Sequence, residues 1–182
     1  TVVVMIAGAP YDVSNVHEQV DALVWSWFNG SRAGDAIADV LFGKVNPSGK
    51  LPVTFPKKLE DSPAHATNSF PGGPDMVTYE EGIYVGYRYF STFDIATSYP
   101  FGFGQSYTDF EYGNASLSNS TFNGDELTVS VDVKNVGDVA GKEIVQVYVT
   151  APDGGLLDKP ALELKAFDKT GLLNAGASEA LT

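Results

Sequence analysis

Hydrophobic and polar positions change their period along the chain, and each change marks a different kind of structure. Val2-Val-Val-Met-Ile6 is a short unbroken apolar run rich in β-branched residues. Such a run predicts a strand buried on both faces, as in the interior of a parallel sheet. A second run, Ala22 to Phe28, carries Trp25 and Trp27 and predicts another core strand. Gly8-Ala9-Pro10 and a loop or helix-compatible stretch through Val16, Val20 and Leu23 connect the two. Beyond them Ala33, Ala36, Ile37, Val40 and Leu41 recur at helical spacing. Ser31 is placed to cap that helix, Asp35 falls in its first turn, and Gly43 supplies the stop.

From Lys44 to Pro56, and again from Pro63 to Pro74, turn residues alternate with short apolar pieces and no period holds, which predicts surface connections. Ten tyrosines and phenylalanines then crowd between Tyr79 and Tyr107, interleaved with glycine. Past Asp109 the period becomes two: Leu127-Thr-Val129-Ser-Val131-Asp-Val133 alternates and ends at Asn135-Val-Gly-Asp138. This is the pattern of a half-buried antiparallel strand. Further strands are predicted at Ile144–Val149 and Leu162–Phe167, separated by Pro152-Asp-Gly-Gly155, with another beginning at Glu179. Their spacing is that of a β-sandwich.

The fold class expected is therefore α/β plus all-β. Residues 1–75 are assigned to the end of an α/β sandwich, 76–108 to an aromatic and glycine-rich interdomain segment, and 109–182 to an antiparallel β-sandwich. A sandwich of this type takes about 100 residues and seven strands, so the last strands are expected to be missing. An interior strand is also an implausible opening for an independent domain, and the chain is expected to be cut from something longer. In isolation it should be poorly stable or associate, since an open sandwich exposes apolar faces and unpaired edges.

Composition narrows the function classes. Among 182 residues, 43% are hydrophobic and 19% charged, the balance of a folded soluble protein. Eleven basic against 23 acidic side chains give a net charge of -12, a field that repels nucleic-acid backbones and anionic lipid. No apolar run approaches the ~20 residues a membrane helix needs. There is no cysteine, which removes disulfides, thiolate metal sites and a thiol nucleophile. Asn29-Gly-Ser31, Asn114-Ala-Ser116 and Asn119-Ser-Thr121 fit the N-glycosylation pattern and point to an extracellular, secreted protein.

The run Ala22-Leu-Val-Trp-Ser-Trp-Phe-Asn-Gly-Ser-Arg-Ala-Gly-Asp-Ala-Ile-Ala-Asp-Val-Leu-Phe-Gly43, followed by Lys44-Val-Asn-Pro-Ser-Gly-Lys-Leu-Pro-Val-Thr-Phe55, closely resembles the family 3 glycoside hydrolases. Tyr99-Pro-Phe-Gly-Phe-Gly-Gln-Ser-Tyr-Thr108 and Val133-Lys-Asn-Val-Gly-Asp-Val-Ala-Gly-Lys-Glu-Ile-Val-Gln-Val-Tyr148 resemble two more signatures of that family, in the same order. The resemblance implies the C-terminal part of an α/β sandwich domain, then an incomplete fibronectin type III-like domain. It implies a retaining hydrolase, with an aspartate nucleophile on a preceding barrel and a glutamate acid/base on the α/β domain, roughly 5 Å apart. Both are expected upstream of Thr1, so no catalytic residue is assigned here and the chain alone should be inactive. A β-glucosidase acting on terminal non-reducing β-D-glucosyl residues is the leading expectation. β-Xylosidase and N-acetylglucosaminidase specificities, or a non-catalytic carbohydrate-binding module, stay open. The partner implied is the remainder of the parent enzyme, its barrel and α/β domain. Two positions depart from the family pattern: Trp27-Phe-Asn-Gly30 lacks the usual proline, and Ser31-Arg32 stands where an acidic residue is frequent.

Within the chain, the loop after the second strand lies where open α/β sheets bind ligands, which makes Trp27, Phe28 and Arg32 candidates for cleft lining. Asn29, Asn114 and Asn119 are candidates for glycosylation. Glu80 and Glu81 are adjacent glutamates, but neighbours on a strand point to opposite faces; a structural role, paired with Arg88, is favoured over acid/base work. The aromatic segment could offer sugar-stacking platforms or staple two domains through buried rings, and stapling is favoured. His17 and His65 are isolated, so no metal site is proposed. No phosphate loop, serine elbow or dinucleotide fingerprint appears, and no cofactor is expected.

Overall fold

The structure, a computed structural model, describes residues 1–124, 126–152 and 154–182; Asp153 of the expected Pro152–Gly155 turn lies outside them. It combines helices with both parallel and antiparallel strands, in two compact units with discontinuous boundaries. One comprises Thr1–Ile37, Leu51–Phe103 and Tyr148–Lys165, the other Ala38–Lys50, Gly104–Val147 and Ala166–Thr182.

In the first unit β1 (Val2–Met5) pairs in parallel with β2 (Ala22–Trp25), register Val2 to Ala22 through Met5 to Trp25. The strand is where the apolar run predicts it, but the burial is not. Val2 is 52% exposed and Ile6 55%, with Val3 to Met5 only half-buried. Among the described residues β2 is the sole neighbour of β1, so one edge and much of both faces remain uncovered. The predicted helix is present as α1 (Ala33–Leu41), ended by Gly43 at φ +72°. Ser31 does not cap it: that residue sits inside a 3-10 turn, Gly30–Arg32, that leads directly into the helix.

The expected surface connection from Lys44 to Pro56 is also corrected. Phe55 is 1% exposed, among the most buried side chains of the chain, and Thr54 is buried beside it. Phe55 opens β3 (Phe55–Pro56), which pairs antiparallel with β4 (Thr97–Tyr99). Its ring meets Trp25 edge-on at 4.7 Å and Tyr99 at 6.1 Å. Pro56 is tolerated because this two-residue strand sits in a two-stranded ribbon, where a missing amide donor costs little. Next come a 3-10 turn at Leu59–Asp61 and the one-turn helix α2 (Pro63–Ala66).

The aromatic stretch contains a helix that its pattern hides, α3 (Tyr87–Thr92). Phe90 is buried, Tyr87 stacks on Phe101 at 4.5 Å, and its hydroxyl accepts the Leu164 amide proton at 2.8 Å. Thr92 Oγ1 accepts from the Ala161 amide at 2.9 Å. Arg88 Nε faces Glu163 Oε1 at 3.3 Å, outside good hydrogen-bond alignment. The expected pairing of Arg88 with Glu80 or Glu81 is therefore replaced by one with Glu163, because the helix turns Arg88 toward the later segment.

The second unit is built on β7 (Val129–Asn135), which pairs antiparallel with β10 (Ser178–Leu181), β5 (Phe110–Tyr112) and β6 (Ser116–Leu117). β8 (Ile144–Val149) pairs with β9 (Glu163–Lys169), and of these strands the residues up to Val147 and from Ala166 onward belong to this unit. Alternation along β7 buries Val133 fully and leaves Asp132 and Lys134 outside. Val133, Leu173 and Leu181 form the core, with Phe110, Val145 and Ala177 against it. Burial and then the Glu143 carboxylate push the Tyr112 hydroxyl up to about 12.

Loop residues lock this unit. Asn46 Oδ1 accepts from the Tyr107 amide at 2.8 Å and from Ser106 Oγ at 3.0 Å, while its Nδ2 donates to the Ala140 carbonyl at 3.1 Å. Lys50 Nζ, largely buried, donates to the Gly104 carbonyl at 2.9 Å and pairs with Glu143 Oε1 at 2.9 Å. Gly104 has to be glycine here, since a Cβ would stand 2.3 Å from the Gly49 carbonyl oxygen. All three stretches that resemble family 3 signatures thus supply residues to this lock: Asn46 and Lys50, Gly104 to Tyr107, and Ala140 to Glu143.

Candidate functional site

The carboxyl ends of β1 and β2 open into the loops Ile6–Pro10 and Ser26–Arg32. Trp25, at the end of β2, is fixed by Phe55, by Tyr11 at 6.2 Å and by Trp27 edge-on at 5.9 Å. Its indole Nε1 is buried with no hydrogen-bond partner among the described residues, a cost of about 1–3 kcal/mol for a buried donor. Trp27 is half-buried and its backbone adopts φ +46°. A bulky residue in the left-handed region carries of order 1–3 kcal/mol of strain, and the ring of the next residue stands exposed.

That ring is Phe28, 79% exposed. Gly8 lies directly under it: a Cβ there would meet Phe28 Cε2 at 2.5 Å. The absent side chain is what lets the ring lie against the β1 loop. Asn29 donates from Nδ2 to Ser26 Oγ and is half-buried. Arg32 is turned away, its Nε donating to Asp35 Oδ2 at 2.6 Å in an exposed pair one turn apart. The structure therefore brings Trp27 and Phe28 together at the strand ends and commits Arg32 to α1.

Glu80 is exposed and lines a pocket with Asn68, Asp75 and Thr78. Glu81 is half-buried, with Oε2 shielded from solvent and without a hydrogen-bond partner among the described residues. Sequence reasoning missed this pocket, because its polar residues fall in a stretch without periodicity. His17 Nδ1 contacts the Val13 carbonyl at 2.9 Å and its ring lies 5.9 Å from Tyr99; His65 Nδ1 contacts Ser62 Oγ at 2.8 Å. Both rings are half-buried and engaged rather than free surface groups. Among the described residues no three His, Cys, Asp or Glu side chains are grouped to hold a metal ion, and no helix is long and apolar enough to cross a membrane. Asn114 and Asn119 are exposed in the segment around β6.

Comparison with known proteins extends over nearly the whole chain. Residues 1–87 match the glycosyl hydrolase family 3 C-terminal domain and residues 143–182 the fibronectin type III-like domain. The chain is 46% identical over 175 residues to a β-glucosidase of Bacteroides ovatus, covering 94% of this chain and 23% of that protein. It is 44% identical over 182 residues to the thermostable β-glucosidase B of Acetivibrio thermocellus, again covering 23% of that protein. The fold superposes on β-glucosidase 3B from Thermotoga neapolitana, solved in complex with glucose, with a TM-score of 0.92 at 46% identity, over 99% of this chain and 25% of that one. The chain thus spans about a quarter of the length of the proteins it matches. On the agreement of both domain matches with these relatives, the chain belongs to family 3 of the glycoside hydrolases.

Proposed function

We propose that this chain works as a non-catalytic part of a retaining β-glucosidase that hydrolyses terminal non-reducing β-D-glucosyl residues. The observation that carries the reading is the 46% identity over 175 residues to a β-glucosidase of which the chain spans 23%. In this reading the aspartate nucleophile and the glutamate acid/base lie outside the chain. Two carboxylates roughly 5 Å apart on either side of the scissile bond form and then hydrolyse a glycosyl-enzyme intermediate, and the chain contributes scaffold and cleft wall. Trp27 and Phe28 are the wall residues proposed, on the strength of the left-handed Trp27 backbone and the exposed Phe28 ring at the strand ends. An exposed aromatic face suits the apolar face of a pyranoside. Arg32 enters this wall only if its contact with Asp35 is released. Secretion belongs to the same reading, supported by the exposure of Asn114 and Asn119 within their sequons.

The test compares the natural full-length protein with the 182-residue chain on an aryl β-glucoside, following the anomer of the product by NMR. Full-length protein is expected to release β-glucose first, and the chain alone to release none. Turnover by the chain alone, or first release of the α-anomer, would overturn the reading. Phe28→Ala in the full-length protein is expected to raise KM for cellobiose by about three- to tenfold with little change in kcat, the signature of lost uniform binding.

A further inference from the structure

Asparagine is followed by glycine twice in the chain, at Asn29-Gly30 and Asn123-Gly124. The dipeptide has a chemistry of its own. The backbone nitrogen of the following residue attacks the asparagine Cγ and closes a cyclic succinimide, and glycine hinders this least because it has no Cβ and turns freely. Closure requires the asparagine ψ to rotate until that nitrogen comes over Cβ, and an amide side chain free to present Cγ. The fold treats the two dipeptides in opposite ways. In the first unit Asn29 is half-buried and its Nδ2 donates to Ser26 Oγ. Its backbone sits at φ -88°, ψ -3°, and Gly30 opens the 3-10 turn, with its carbonyl accepting from the Ala33 amide at the start of α1. At that ψ the Gly30 nitrogen is turned away from Cβ, so closure waits for the turn to open and the Ser26 contact to break, a local unfolding step.

In the second unit Asn123-Gly124 lies in the connection from β6 to β7. That connection is closed at its base, where the Ser118 amide donates to the Thr128 carbonyl at 2.9 Å and the Thr128 amide to Ser118 Oγ at 3.0 Å. Farther out, the Thr121 amide donates to Asn119 Oδ1 at 3.2 Å. Asn123 and Gly124 are both exposed, and neither makes a hydrogen bond among the described residues. Gly124 adopts φ +95°, and nothing stands within 4 Å of the place a Cβ would take. We propose that Asn123 is a site of spontaneous deamidation and that the fold withholds the same chemistry from Asn29. The Gly124 nitrogen bonds to Asn123 Cγ, the Cγ–Nδ2 bond breaks, and the amide proton leaves with Nδ2 as ammonia. Water then opens the ring, its hydroxyl going to carbon and its proton back to the nitrogen. Opening at Cγ gives aspartate, and opening at the backbone carbonyl carbon gives isoaspartate. Water is the only co-reactant, and each event adds one negative charge. An isoaspartate at 29 would lengthen the backbone directly beside Phe28 and the start of α1, whereas at 123 the added atom falls in an exposed connection. The proposal goes beyond the hydrolytic reading and does not depend on it.

The experiment incubates the natural full-length protein, made in a host without N-glycosylation, in heavy-oxygen water at mildly alkaline pH and follows both sites by peptide mass spectrometry. Asn123 is expected to convert at least about tenfold faster than Asn29, as the loss of a hydrogen bond and a turn before closure requires. Heavy oxygen should appear in both the aspartate and the isoaspartate product. Gly124→Ala should slow conversion at Asn123 and leave Asn29 unchanged. In concentrated urea, where the fold is gone, the two sites should convert at similar rates. Conversion at Asn29 as fast as at Asn123 in the folded protein would overturn the proposal. So would an Asn123 that converts only in urea, or an undiminished rate in Gly124→Ala. A rate difference that persists in urea would also overturn it, because sequence neighbours rather than the fold would then set the selectivity. The readout is chemical change at two named residues, so a protein that fails to cleave glucosides can still pass this test, and one that cleaves them can fail it.

Discussion

Asn135 has no exposed surface, yet every polar atom of its side chain is used. Oδ1 accepts from Thr108 Oγ1 at 2.7 Å and from the Gly137 amide at 3.1 Å; Nδ2 donates to the Val139 and Leu173 carbonyls at 2.8 and 2.9 Å. One side chain thus ties the end of β7 to the turn that follows, to the segment before β5, and to the core residue Leu173. Burying an amide in an apolar core costs several kcal/mol unless it is hydrogen-bonded, and removing it strands its partners at about 1–3 kcal/mol each. Asn135→Ala should therefore destabilise by about 2–4 kcal/mol, read as a shift in denaturation midpoint at constant slope. Asn114→Ala, at an exposed position, is the control and should stay within about 0.5 kcal/mol. Equal effects for the two would show that the buried network does not hold the unit.

At the scale of elements, what was legible depended on how local the cause was. β7 could be read because one face is buried and the alternation records it, and α1 because its apolar stripe keeps helical spacing. Phe55 could not be read as core, since it stands between Thr54 and Pro56 and is buried by Trp25 and Tyr99, partners distant in sequence. α3 was hidden because Tyr, Phe, Ser and Thr are indifferent helix formers; packing of Tyr87 and Phe90 decides its conformation. Of the candidate site, the strand-end position of Trp27 and Phe28 was legible, whereas the Trp27 dihedral and the pairing of Arg32 with Asp35 needed coordinates. The loop from Asn46 to Lys50 was misjudged for the same reason: Asn46 answers to Ala140, 94 positions later. This loop can be tested as an element. Lys50→Met leaves the Glu143 carboxylate buried without its cation and should cost about 3–5 kcal/mol, while Lys50→Met/Glu143→Leu should recover most of that loss, because a buried pair replaced by apolar groups is often neutral. A double variant as unstable as the single one would mean that the contact of Lys50 with the Gly104 carbonyl, rather than the ion pair, holds the loop.

For the whole molecule, two surface properties oppose one another. Large apolar side chains lie open in both units: Phe28 and Tyr79 in the first, Phe42 at 83% exposure and Phe167 in the second, and among the described residues β1, with Val2 exposed, has one unpaired edge. Exposed apolar patches and free strand edges favour association. The net charge of -12 resists it, through repulsion that salt screens beyond a Debye length of about 8 Å at 0.15 M ionic strength. Apolar attraction has no such sensitivity and is strengthened by excluded salts such as sulfate. The 182-residue chain at roughly 0.1 mM should therefore sediment as monomer or small oligomer at low ionic strength, and associate progressively as sodium chloride and then sodium sulfate are added. Phe28→Ser/Phe42→Ser should move the onset to higher salt, because it removes apolar area without changing charge. A single monomeric boundary that ignores salt would show that these side chains do not form a cohesive surface, and dissociation on adding salt would show that charge pairing rather than apolar contact drives whatever assembly occurs.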